Sequence, residues 1–163
     1  MSKDVFGTCI HNYFAAHRWS PERKYQQVNV RNAERVAAGF GFGELIDAEK
    51  LVGQADAFFD YIEKKYGQIV TAEHEIPFVH RRDGQVISGE IDLYLRTVTG
   101  ESILVDFKNP QMGMDPSPEA LKYIAVGYWP QLDAYRNALN AAGHPVNHVC
   151  IYYAMLGIAA ELV

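Results

Sequence analysis

The sequence predicts an α/β fold, and three features of the chain indicate it. A long amphipathic helix is expected over Ala48–Tyr66, because its apolar residues recur at three- and four-residue spacing. Three strand-like runs of alternating residues follow, joined by short turns that contain glycine. Helical sequence and one last apolar run complete the order of helices, strands, helices and strand. A chain of 163 residues, 48% of them hydrophobic, can bury one ordinary core, so a single domain over residues 1–163 is expected.

The N-terminal part, residues 8–66, is predicted to be helical. Thr8 is a plausible N-cap for a helix over Cys9–His17. A second helix is expected near Val28–Ala38, where a glycine-rich loop follows. Asp47 is expected to cap the long helix, whose aromatic residues form an apolar stripe. Such a stripe indicates a core rather than a cofactor site.

The remainder, residues 71–154, is predicted to hold the sheet. Its expected strands are Thr71–Val79, Gln85–Arg96, Ser102–Asn109 and a buried Val146–Ala154. Turns are expected at Asp83-Gly84 and Thr99-Gly100, which carry the residues that hairpin turns need. Helices are expected from Ser117 onward and over Pro130–Ala142, where the proline suits the first helical turn.

Two carboxylates and a lysine lie on the second and third of these strands. Side chains alternate faces along a strand, so Asp92 is expected to leave the face that Leu93 packs. Asp106 and Lys108, two residues apart, share a face. If the strands pair, the three groups converge, and carboxylate oxygens are the ligands that Mg²⁺ prefers. A solvated strand edge would show the same pattern, so these residues alone leave both interpretations open.

Composition narrows the class of protein. No apolar run approaches the ~20 residues that span a bilayer, and the N-terminal residues lack a signal-peptide core. A cytoplasmic protein without a membrane partner is therefore expected. The net charge of −5 argues against a domain that grips nucleic acid by bulk electrostatics. Cys9 and Cys150 lie far apart without C-x-x-C spacing, which argues against disulfide, zinc and iron–sulfur sites.

Five short motifs occur in order along the chain. They are Gly7-Thr8-Cys9-Ile10-His11, Glu75-Ile76-Pro77-Phe78, Gly89-Glu90-Ile91-Asp92, Asp106-Phe107-Lys108 and Gln131-Leu132-Asp133-Ala134-Tyr135. Because it has these motifs in this order, the chain resembles the RecB-type nuclease domain of the PD-(D/E)XK superfamily. That domain lies at the C-terminus of AddA- and RecB-like helicase-nucleases. The resemblance implies a restriction-endonuclease-like α/β core, with a mixed central sheet flanked by helices.

The resemblance also implies roles for individual residues. The implied ligands of Mg²⁺ or Mn²⁺ are His11, Asp92, Asp106 and the backbone carbonyl of Phe107. The implied catalytic residues, beside the two aspartates, are Lys108, Gln131 and Tyr135. An iron–sulfur cluster is not expected, because that branch of the family needs four cysteines and the chain has 2.

The implied activity is metal-dependent hydrolysis of phosphodiester bonds in DNA. The chain would be the exonuclease domain of a helicase-nuclease in recombination and double-strand-break repair, with a fused or associated helicase that delivers single strands. Two alternatives stay open: a catalytically inactive DNA-binding or scaffold module of the same fold, and a free-standing phage- or restriction-type nuclease. The stretch Met112–Trp129 is long for the family, and either a gate for DNA or a packed connector would explain it.

Overall fold

A computed structural model describes residues 3–108, 117–154 and 156–163 of the chain. These residues form two compact units, Met1–Lys65 and Tyr66–Val163. The boundary lies where the predicted helical part ends, and the single-domain expectation stays a prediction. Among the described residues, no helix combines the length and the apolar character that crossing a membrane requires.

The first unit is helical, as the sequence predicts. Its helices are α1 (Lys3–Ala16), α2 (Gln26–Gly39) and α3 (Ala48–Tyr66). Tyr66, the last residue of α3, is the first residue of the second unit. The bounds of α3 are those predicted, and Asp47 Oδ1 accepts a hydrogen bond from the Lys50 N–H at 3.2 Å. The expectation that Thr8 caps the first helix is wrong, because α1 already includes Lys3. Packing extends the helix upstream, since the Phe6 ring meets Phe42 edge-on at 5.2 Å.

A buried polar network joins α1 to α3 inside this unit. The Tyr13 hydroxyl lies 2.6 Å from His17 Nδ1, and His17 Nε2 lies 2.8 Å from Asp56 Oδ1. Gln26 donates to the other oxygen of Asp56 at 3.0 Å. The Phe59 ring stacks on the imidazole with centroids 5.8 Å apart. His17 is therefore a core histidine whose polar atoms are satisfied.

In the described part of the second unit, five strands form a mixed sheet in the order β1-β2-β3-β4-β5. The strands are β1 (Ile69–Arg82), β2 (Gln85–Thr97), β3 (Ser102–Lys108), β4 (His148–Tyr153) and β5 (Ile158–Glu161). Strands β3 and β4 are parallel, and the other neighbours are antiparallel. The predicted α/β class is confirmed. The expected strand Val146–Ala154 is shorter in the structure, and β5 was missed because it is only 4 residues long.

Two helices pack on one face of the sheet. They are α4 (Pro118–Gly127) and α5 (Trp129–Ala141), close to the predicted positions. Ser117 caps α4 by accepting a hydrogen bond from the Ala120 N–H at 3.3 Å. One buried cluster joins the helices to the strands: Leu121, Ala125, Leu132 and Leu139 with Tyr94, Leu104, Val149, Ile151 and Tyr153. Residues 109–116 lie outside the described residues, and they include Asn109, the expected end of the third strand, and the first five residues of the predicted stretch Met112–Trp129. The rest of that stretch is described and forms α4 and the start of α5.

The hairpin of β1 and β2 is longer than the ladder that β2 forms with β3. Both turn residues have positive φ, 51° at Asp83 and 78° at Gly84, as the predicted two-residue turn requires. Strand β1 pairs with β2 as far as this turn, whereas the pairing of β2 with β3 extends only over Leu93–Arg96. The hairpin therefore continues beyond the last pair that β2 forms with β3, and Asp92 lies at that point.

Candidate metal centre

Asp92 lies where the ladder between β2 and β3 ends. The last backbone pair joins Leu93 to Val105. One residue further, Asp92 Oδ2 accepts a hydrogen bond from the Phe107 N–H at 2.8 Å. The Asp92 carboxylate thus takes the place of a backbone carbonyl as the acceptor for this N–H. The bond fixes the orientation of the half-buried Asp92 side chain beside β3.

Asp106 and Lys108 follow on β3, and their charged groups meet. Lys108 Nζ lies 3.1 Å from Asp106 Oδ2. The contact is an ion pair rather than a directed hydrogen bond, since this oxygen is buried and has no hydrogen-bond partner among the described residues. Asp106 is only 7% exposed. The structure therefore brings both aspartates and the lysine together, and it leaves one buried carboxylate oxygen able to accept a further ligand.

Asp106 does not lie on an open face of the sheet. By the alternation of the strand, Leu104 shares the face of Asp106, and Leu104 lies in the core cluster with α4 and α5. Every residue of β3 except Lys108 is buried. A strand that is covered on both faces has no open side, so alternation alone could not tell which face was packed.

The electrostatics of the site show an excess of negative charge. Burial is the main reason that the pKa of Asp92 lies well above its usual range, and the nearby Asp106 carboxylate raises it further. The Phe107 N–H and Lys108 oppose this rise. Burial would lower the pKa of Lys108, but the Asp106 carboxylate outweighs burial, and the net shift is upward. One lysine thus offsets the two carboxylates only in part.

Helix α5 supplies Gln131 and Tyr135 as the sequence predicts. Gln131 Nε2 donates to the Tyr135 hydroxyl at 2.7 Å, one helical turn away. The Phe78 ring meets the Tyr135 ring at a centroid distance of 4.6 Å. A Cβ on Gly89 would lie 3.2 Å from the Tyr135 hydroxyl, so the glycine makes room for the tyrosine. Burial and then the charge of Asp106 raise the pKa of Tyr135, which couples this hydroxyl to the acidic site.

Sequence reasoning missed Tyr128. Its ring centroid lies 4.4 Å from Lys108 Nζ, a cation–π distance. Tyr128 is three residues before Gln131, and that helical spacing was the available signal. In the sequence, Tyr128 lies in the long stretch before the last motif, outside all five motifs.

The donor set is small. Among the described residues, no group of three or more His, Cys, Asp or Glu side chains is arranged to hold a metal ion. Two aspartates suit Mg²⁺, which keeps several of its waters and takes one or two carboxylates. His11 lies half-buried on α1 in the first unit, and its role as a ligand stays a prediction, as does that of the Phe107 carbonyl.

No protein-family model matches the chain, and no curated protein gives a significant match to it. The function is therefore inferred from the residues and their arrangement.

Proposed function

We propose that this chain is a Mg²⁺- or Mn²⁺-dependent deoxyribonuclease with a restriction-endonuclease-like core. The cluster of Asp92, Asp106 and Lys108 carries the proposal. Two carboxylates and an ammonium on two inner strands, where the β2–β3 ladder ends, match the demands of phosphodiester hydrolysis, in which charge on the phosphate must be offset. The order of the five sequence motifs supports the same conclusion.

A divalent cation fits the residues for two reasons. The buried Oδ2 of Asp106 is contacted by Lys108 Nζ at 3.1 Å and accepts no hydrogen bond of directed geometry among the described groups, so it can accept a further ligand. The carboxylates of Asp92 and Asp106 also disfavour each other's charge, and a hard cation between oxygens removes that cost. Such a cation would offset charge on the scissile phosphate and make a water easier to deprotonate.

The protein groups would then divide the remaining work. The Phe107 N–H holds the Asp92 carboxylate in place. Lys108 presents a positive charge toward the phosphate. Because Gln131 donates to the Tyr135 hydroxyl, the proton of that hydroxyl is left to donate to a substrate oxygen. Hydrolysis in this arrangement needs positioning and charge, and no nucleophilic side chain.

The natural substrate would be single-stranded DNA that a fused or associated helicase delivers. The net charge of −5 supports this, because an acidic chain gains little affinity from phosphate contacts of its own. Delivery raises the effective concentration of the strand at the site. The chain would then act as the exonuclease part of a cytoplasmic recombination and repair enzyme.

The deciding experiment is a metal titration with end-labelled single- and double-stranded DNA. Cleavage should require Mg²⁺ or Mn²⁺, and Asp106→Asn should abolish it. Asp133→Asn is a matched control, because Asp133 is a partly exposed aspartate of α5 whose carboxylate lies 3.8 Å from Arg136 Nε. Binding of DNA without cleavage at any metal concentration would instead support the catalytically inactive module.

A further inference from the structure

The ammonium of Lys108 has two partners of different kinds. On one side lies the Asp106 carboxylate, at 3.1 Å from Nζ. On the other lies the face of the Tyr128 ring, with its centroid 4.4 Å from the same atom. The Lys108 side chain is 26% exposed, so the contact with the ring is partly shielded from water. Such shielding strengthens the attraction between a cation and an aromatic face.

The backbone around Tyr128 is fixed relative to the sheet. Tyr128 joins α4 to α5, and its carbonyl accepts a hydrogen bond from the Leu132 N–H at 3.1 Å. The Tyr153 hydroxyl donates to the Leu121 carbonyl at 2.9 Å, which ties β4 to α4. Tyr153 is also the residue that pairs with Lys108 between β4 and β3. The ring therefore lies on a support that is anchored beside the lysine.

We propose that Tyr128 is a positioning residue for Lys108, whose ammonium it holds by a cation–π contact in the orientation that phosphodiester cleavage needs. The inference depends on the proposed nuclease function and extends it. Without the ring, the ammonium keeps only its contact with Asp106 Oδ2. It would then be free to rotate about that contact and to turn away from the phosphate. The ring thus fixes the orientation of an ammonium that the Asp106 carboxylate alone would leave mobile.

Two substitutions separate the ring from the rest of the side chain. Tyr128→Phe keeps the aromatic face and should retain nearly all of kcat. Tyr128→Leu removes the face and should lower kcat about tenfold with little change in KM. Tyr123→Leu is the matched control, because Tyr123 is a tyrosine of α4 that is 82% exposed. Equal loss in the Phe and Leu variants would overturn the proposal.

A series of fluorinated phenylalanines at position 128 tests the cation–π contact itself. Each added fluorine weakens the negative potential of the ring face with little change in its size. We expect kcat to fall stepwise along the series. A ring that acts only by packing would give a constant kcat, and that result would reject the proposal.

Nuclear magnetic resonance provides a readout that does not depend on cleavage. Protons on the carbon next to the Lys108 ammonium lie near the ring face, so their signals should be shifted upfield and should return to the usual position in Tyr128→Leu. Lys108→Arg assigns the signal. An unshifted signal overturns the proposal even if the chain is an active nuclease. A shifted signal in a chain that cleaves no DNA supports the contact and counts against the nuclease instead.

Discussion

At the scale of single residues, the most demanding environment is that of the two aspartates. Ionised carboxylates are costly to bury unless other groups compensate them. Asp106 has Lys108 beside it, and Asp92 has the Phe107 N–H. Neither compensation is complete, since the pKa of Asp92 stays raised by burial first and by the Asp106 charge second. Repulsion between the two carboxylates makes the folded chain less stable than it would be with a neutral group at one position, and a bound cation would relieve that repulsion.

Asp92→Asn tests this balance. The amide oxygen still accepts the Phe107 N–H, but the charge is removed. We expect metal-dependent cleavage to fall more than about 100-fold, because a charged ligand is lost. Thermal stability without metal should hold or rise, because the repulsion with Asp106 is relieved. Thermal unfolding with and without Mn²⁺, together with a cleavage assay, measures both. A variant that cleaves normally or fails to fold would contradict the metal-site assignment.

The buried His17 should make the stability of the folded chain depend on pH. Burial lowers its pKa below the ordinary 6.5, and this outweighs the opposing effect of its hydrogen bond with Asp56. Arg23 also lowers it, and Tyr13 contacts the other ring nitrogen. As the pH falls, the unfolded chain therefore protonates His17 at a higher pH than the folded chain does. The stability that comes from keeping His17 neutral is complete above the unfolded pKa of ~6.5, and it is lost as the pH falls below that value.

His17→Gln should remove that dependence. We expect its melting temperature to be lower than that of the unsubstituted chain near neutral pH, and the gap to narrow as the pH falls from about 7.5 to about 5. Circular dichroism melts over this range measure the gap. His144→Gln is the control, because His144 is exposed, and its melts should follow the unsubstituted chain. A gap that does not change with pH would show that the imidazole is not held neutral.

At the scale of elements, the contact between β2 and α5 decides the position of Tyr135. The absence of a side chain at Gly89 brings the strand close to the helix, with Phe78 filling the adjacent space. The hydrogen bond from Gln131 holds the hydroxyl there. Residues from three separate sequence motifs thus surround one tyrosine, and two of them, Phe78 and Gly89, lie on the strands rather than on the helix.

Gly89→Ala should disturb this contact without unfolding the chain. The new Cβ would lie 3.2 Å from both the Phe78 ring and the Tyr135 hydroxyl, which forces one of them to shift. We expect kcat to fall roughly tenfold to a hundredfold, because small displacements of positioning groups have effects of that size. Gly53→Ala is the matched control: it lies in α3 with nothing within 4 Å of its Cβ position. It should keep full activity and gain about 1 kcal/mol of stability.

At the scale of the whole molecule, net charge bears on how the proposed substrate would be acquired. The chain carries 15 basic and 20 acidic residues, and a net charge of −5 gives no overall attraction to DNA. Under the proposed function, local groups would do the binding. The proposed nuclease would then cleave well only when another component brings the strand to it.

Affinity for DNA should accordingly be weak. We expect the isolated chain to bind a single-stranded oligonucleotide with a dissociation constant in the micromolar range or above at physiological salt, and the affinity to fall further as salt rises. Turnover should recover when a motor domain is tethered to it. Fluorescence anisotropy across a salt series measures the first effect. Nanomolar binding to duplex DNA at physiological salt would remove the basis for delivery by a helicase.

Much of the local structure was predictable from neighbouring residues. The bounds of α3 and the Asp83-Gly84 turn depend on capping, periodicity and backbone preference, which short segments carry by themselves. Two predictions failed for the opposite reason. Thr8 has the chemistry of a cap, but packing of Phe6 on Phe42 extends α1 past it. Strand β5 is too short to show a period and forms by pairing with β4.

For the site, the sequence by itself determined that Asp92, Asp106 and Lys108 lie on two neighbouring strands and that the last two share a face, because strand alternation is a local property. Their spacing left a metal site and a solvated strand edge both open, and the order of the five motifs favoured the metal site. Only the tertiary structure decided that both faces of β3 are buried, that the Asp92 carboxylate binds the Phe107 N–H, and that Tyr128 covers Lys108. These features join residues that are distant in sequence, and their energies depend on burial, which exists only once the helices have packed on the sheet.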